Sequence, residues 1–146
     1  MDMSFQEKSA WGSLIAIGLV AFWFFPTAFE VAGDSNNPYD LFFLGIGCIV
    51  GLIIIEVVYQ SVVAVSGSAE SDERDALINL WAERNSGWVL AIGLFWLVGH
   101  IFAVSAVDVP EPMGAMLIAV WILFTLTVAE FAKLASQVWY YRADAG

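Results

Sequence analysis

A chain of 146 residues that is 60% hydrophobic and only 14% charged, with a mean hydropathy of +0.78, does not have the composition of a soluble domain, where about 45–50% of residues are apolar and about 25% charged. Five Lys and Arg against fifteen Asp and Glu give a net charge of −10, which excludes direct nucleic-acid binding, and the apolar content excludes disorder. One cysteine and one histidine can build neither an internal disulfide nor a closed zinc site, which leaves a small integral membrane protein.

A spanning helix needs about 20 predominantly apolar residues. Four segments supply them, at about 11–32, 41–65, 88–107 and 113–135. The residues before the first carry Asp2, Glu7 and Lys8, so they do not read as the positive leader of a cleaved signal peptide. Inside the first segment, Phe22-Trp23-Phe24-Phe25 is followed by Pro26, which predicts a kink and an aromatic packing cluster. The next stretch, Gly33 to Asp40, is a turn by composition.

The second segment contains Gly47 and Gly51 in a GxxxG, which lets another backbone approach closely, within the bundle or between two copies. Cys48 between them reads as a small packing residue. Glu56 lies 18 residues after the loop proline Pro38, and Glu130 lies 18 after Pro112. At 1.5 Å per residue that is roughly 27 Å, close to the far boundary of a hydrocarbon core of about 30 Å.

The connection from Ser66 to Gly87 is the long one. Ser71 or Asp72 suits a helix N-cap, and acidic residues fill the first turn, so 72–84 reads as a cytoplasmic or interfacial helix that ends in a bend at Asn85-Ser86-Gly87. Asp72, Glu73 and Asp75 on one helix fan out too widely to surround a metal ion. His100, the single histidine, falls 12 residues into the third segment. A proton relay, a haem or metal ligand and an interhelical hydrogen bond are the roles open to it, and a bis-histidine haem would need a second histidine. The fourth segment follows a turn at Asp108–Pro112, and it places Lys133 three residues after Glu130 on one helical face.

Orientation follows from the basic residues. Lys8, Arg74, Arg84, Lys133 and Arg142 all fall on one side, and the other two loops hold none. The positive-inside rule then puts both termini in the cytoplasm. The expected fold is an all-α, four-helix transmembrane bundle, a single domain of two antiparallel hairpins. The hairpins resemble each other: Ala16-Ile17-Gly18-Leu19 recurs as Ala91-Ile92-Gly93-Leu94, and Glu56 recurs as Glu130. Such spacing suggests a duplication, with halves related by an axis along the membrane normal.

The runs Glu7-Lys8-Ser9-Ala10-Trp11, Asp72-Glu73-Arg74-Asp75-Ala76-Leu77-Ile78 and Tyr140-Tyr141-Arg142, with Arg84 before the third segment, resemble those of uncharacterised four-helix bacterial inner-membrane proteins with a cytoplasmic DERD-x-x-I segment. Members of that family are often encoded beside small helix-turn-helix regulators, so the resemblance implies a regulatory association and assigns no site residue. The sequence holds no nucleophile–base constellation, metal cluster or phosphate loop. The expectation is therefore a non-enzymatic protein without cofactor, embedded in the lipid bilayer and acting on a membrane-protein partner or as a homodimer. The alternative is a small oligomeric proton- or cation-coupled transporter or channel that uses Glu56 and Glu130. Its cheapest discriminator is whether those two carboxylates share a water-connected cavity.

Overall fold

The computed structural model describes residues 5–34, 38–65, 73–106 and 114–143, and all of them except Gly114 are α-helical. The helices are α1 (Phe5–Asp34), α2 (Pro38–Val65), α3 (Glu73–Ala106) and α4 (Ala115–Ala143). Each is long and apolar enough to cross a membrane, so the chain folds as an all-α, multi-pass transmembrane bundle. The middle of the turn expected at Gly33–Asp40, the turn expected at Asp108–Pro112 and the N-cap expected at Ser71 or Asp72 lie outside the described residues.

α1 and α4 form the centre. They pack along each other, α2 packs along α1 and α3 packs along α4, and among the described residues no further pair of helices packs along its length. Neighbours run antiparallel. On α1 and α2, Ser9 faces Gln60 and Ser13 faces Glu56. On α3 and α4, Asp75 meets Tyr141 and Glu83 meets Lys133. On α1 and α4, Glu7 meets Arg142 at one end and Phe25 meets Phe124 nearer the other.

Lipid tails are as apolar as leucine, so helices in a bilayer associate through close packing and hydrogen bonds. The close packing is aromatic. Phe24, Phe25 and Ala28 of α1 and Val120 of α4 are buried together, with Leu44 and Cys48 of α2 against them. Phe25 meets Phe124 edge-on at 5.0 Å, and Phe29 meets Trp121 at 4.9 Å. Such pairs are worth about 0.5–1.5 kcal/mol each beyond the area they bury. The aromatic run of α1 thus divides: Phe24 and Phe25 enter the core, while Phe22 and Trp23 are exposed on the lipid side. α1 continues through Pro26, and the hydroxyl of Thr27 donates to the carbonyl of Trp23 at 3.3 Å.

Three features differ from the sequence expectation. First, residues 73–106 form one unbroken helix of 34 residues, which continues through Asn85-Ser86-Gly87. The Asn85 amide donates across the seam to the hydroxyls of Ser136 and Tyr140, both at 3.1 Å. A side chain used in this way does not compete for its own backbone.

Second, within the chain the close approaches lie elsewhere than at the GxxxG, which leaves Gly47 and Gly51 for a contact between copies. A Cβ added at Gly47 or Gly51 would meet nothing within 4 Å. At Gly93 it would sit 2.4 Å from Cγ2 of Thr125, and at Gly12 it would overlap the Tyr59 ring.

Third, the halves are not related by a two-fold arrangement. Gly18 and Gly93, equivalent in the sequence likeness, both face α4, at Phe131 and Thr125. A two-fold axis would have turned Gly18 onto α2, as Gly93 is turned onto α4.

Candidate functional site

Polar side chains converge at the end of the bundle where α1 and α3 begin and α2 and α4 finish. On α3, Asp75, Asn79 and Glu83 recur every four residues. On α4, Lys133, Gln137 and Tyr141 do the same. That spacing keeps each set on one face of its helix. Because the helices are antiparallel, the two rows pair as three rungs. The Tyr141 hydroxyl donates to Asp75 Oδ1 at 2.9 Å, the Gln137 amide donates to Asn79 Oδ1, and Lys133 Nζ lies 3.5 Å from Glu83 Oε1.

A second polar set joins α1 to α2. The Gln60 amide donates to Ser9 Oγ at 2.8 Å, and the Ser13 hydroxyl donates to Glu56 Oε2 at 3.2 Å. The Tyr59 hydroxyl donates to the carbonyl of Lys8 at 2.6 Å. Gln6, Ser9 and Ser13 line α1's wall of a cavity of about 230 Å³, and Asp75, Asn79, Gln137 and Tyr141 complete it from α3 and α4. At the same end Arg142 Nε lies 3.4 Å from Glu7 Oε1, and the guanidinium carbon sits 5.3 Å over the Trp11 ring.

The sequence-predicted residues are not brought together. Glu56 is half-buried between α1 and α2, held by Ser13 and Gln60. Glu130 is exposed on α4. Lys133, expected to hold Glu130, reaches across to Glu83 instead, because its row of the helix faces α3. His100 lies toward the opposite end and stacks on Trp96, with ring centres 5.4 Å apart and planes 11° from parallel. Trp96 in turn packs on Trp121. Gly47 and Gly51 face open space. Among the described residues no group of three His, Cys, Asp or Glu side chains could hold a metal ion.

The ladder between α3 and α4 was the feature that sequence reasoning missed. Its signal is readable: two polar rows of i, i+4 spacing, on helices already known to be antiparallel. Chemically the site offers amides, hydroxyls and carboxylates bonded to one another. In membranes such interhelical bonds average about 0.6 kcal/mol, so the set fixes register between helices rather than preparing a reactive group.

No protein-family model matches this chain, and no match is found among curated proteins or solved structures.

Proposed function

We propose that this chain is a protein of the bacterial inner membrane, with both termini cytoplasmic, that works by association, as a regulatory partner or accessory subunit of another membrane protein. The observation that carries this reading is the overhang of α3. Its 34 residues span roughly 51 Å at 1.5 Å per residue, against a hydrocarbon core of about 30 Å. Glu83, Arg84 and Asn85 mark where that core ends on this helix. Counting from Arg84, Leu80 lies roughly 6 Å and Leu77 roughly 10 Å further out. The headgroup zone accounts for about 5–8 Å on each side, so acyl chains do not cover these side chains.

Leu77 is nevertheless 51% exposed and Leu80 63% exposed, whereas Ile78 and Ala82 on the inner face are buried. An apolar stripe on a rigid helix outside the hydrocarbon is a surface for another protein. The separation of Glu56 from Glu130 also favours association over transport, since a carboxylate pair that relays protons needs a common water path.

The inward orientation rests on Lys8, Arg74, Arg84, Lys133 and Arg142, all toward the end that holds both termini. In a Cys48→Ser background, Asn36→Cys should be labelled by an impermeant thiol reagent from outside and Ser68→Cys should not. The reverse pattern would invert the topology. For association, the test is copurification in mild detergent of wild type and of Leu77→Ser/Leu80→Ser. A stoichiometric membrane-protein partner is expected with wild type and not with the variant, at unchanged melting temperature. A partner retained equally by both would remove α3 from the interface.

A further inference from the structure

A different face of the molecule carries a second site. On the seam between α1 and α4, starting at the polar end and running away from it, lie two apolar grooves. The one nearer the termini, about 520 Å³, is lined by Trp11, Leu14, Ala135, Val138, Trp139 and Arg142. The deeper one, about 500 Å³, runs along Gly18, Phe22, Phe25 and Pro26 of α1 and Phe124 and Phe131 of α4. They follow one another along the seam: Leu14 and Ala135 line the first, and Gly18 and Phe131, four residues on along each helix, line the second. Both volumes fall within the range of about 300–1,000 Å³ typical of ligand sites.

We propose that this seam holds one glycerophospholipid, with its phosphate on the Arg142 guanidinium and an acyl chain along the grooves beneath. Among the described residues Arg142 is the one cation lining either groove. Its Nε faces Glu7 at 3.4 Å, and its guanidinium lies over Trp11. That stack draws the charge back from the end of α4 to the level of Trp11, where the apolar run of α1 begins.

The two terminal NH₂ groups of Arg142 have no partner among the described residues, and the side chain is 63% exposed. Guanidinium presents paired donors that match a phosphate bidentately. Trp11 and Trp139 flank it as interfacial aromatic anchors. Glu7 holds the plane of the guanidinium, and its side chain is only 12% exposed, so it does not screen the outer edge. Charge, depth and apolar shape therefore coincide on one molecule that has a phosphate at one end and a hydrocarbon chain at the other.

The test is native mass spectrometry of protein extracted in mild detergent. Wild type, Arg142→Gln, Ala135→Trp, which fills the groove, and Arg84→Gln, which removes a cation at the same membrane end but off the seam, are compared. Circular-dichroism melting checks that each folds, and Arg142→Gln alone decides the matter if Ala135→Trp does not. One retained phospholipid is expected for wild type and Arg84→Gln. Titrating phospholipid back should show affinity about tenfold lower for Arg142→Gln, as loss of a charged hydrogen bond implies, and inorganic phosphate should not displace the lipid. Wild type without retained phospholipid, equal retention in Arg142→Gln, or displacement by inorganic phosphate alone would overturn the proposal.

Discussion

At Gly93 the backbone of α3 comes close to a side chain of α4, so that a substitution there should separate the two helices. A Cβ there would lie 2.4 Å from Thr125 Cγ2, whereas carbon atoms in good contact sit about 3.5–4.0 Å apart. Relief requires over 1 Å of movement. Thr125 cannot rotate freely, because it is only 9% exposed and its hydroxyl donates to the Trp121 carbonyl at 2.9 Å. The helices must therefore separate, and overpacking of this kind costs about 1–3 kcal/mol. Replacing Gly by Ala inside a helix returns up to about 1 kcal/mol. With the full return, the expected net loss for Gly93→Ala is about 0–2 kcal/mol.

Thr125→Ser deletes the clashing methyl and keeps the hydroxyl, at a cost of about 1 kcal/mol for a buried methyl. The next nearest atoms, Cβ and Oγ1 of Thr125, are both 3.5 Å away, so the double variant Gly93→Ala/Thr125→Ser should be more stable than Gly93→Ala alone. The coupling between the two should exceed about 1 kcal/mol. Gly99→Ala, with nothing within 4 Å of the added atom, serves as the control and should be neutral or stabilising. Reversible unfolding in mixed micelles measures all four. Additive single effects, or a Gly93→Ala protein as stable as Gly99→Ala, would refute the crossing.

Gly47→Leu and Gly51→Leu should leave the melting temperature within about 2 °C of wild type, as added volume in open space changes folding by no more than about 0.5 kcal/mol; a drop in oligomer size on gel filtration would assign the GxxxG to a contact between copies. Gly12→Ala should displace the Tyr59 ring and cost about 1–3 kcal/mol, more than the roughly 1 kcal/mol of Tyr59→Phe, which loses only the bond to the Lys8 carbonyl. Glu130→Gln should be silent within about 0.5 kcal/mol because the side chain is exposed. In proteoliposomes under a pH gradient, wild type, Glu56→Gln and Glu56→Gln/Glu130→Gln should show the same protein-independent leak. A flux abolished by Glu56→Gln would put proton transport first.

The four spans were legible because a bilayer imposes one length and one composition on any helix that crosses it, and the antiparallel order followed from short connections. What failed were inferences from local spacing. Asn85-Ser86-Gly87 looks like a break, but α4 offers Ser136 and Tyr140 to the Asn85 amide, and a tertiary partner overrides local preference. Glu130 and Lys133 are adjacent on one helix, yet Lys133 belongs to the row that faces Glu83. The GxxxG meets no helix of its own chain, because the motif says only that close approach is allowed and does not name the partner. At Gly12 and Gly93 the approach depends on a single side chain of the neighbouring helix, Tyr59 or Thr125, which no motif encodes. The polar ladder was within reach, since the i, i+4 rows on α3 and α4 can be paired once the helices are known to be antiparallel.

Association through the overhang of α3 is tested most directly by site-specific photocrosslinking in native membranes. A photoreactive residue replaces Leu77 or Leu80 on the exposed stripe, or, as a lipid-facing control, Phe95, which is 79% exposed. Leu77 and Leu80 should each yield one adduct of the same protein mass, and Phe95 should yield none. Absence of any protein adduct from Leu77 and Leu80, with the stripe labelling only lipid, would contradict association as the role of this chain.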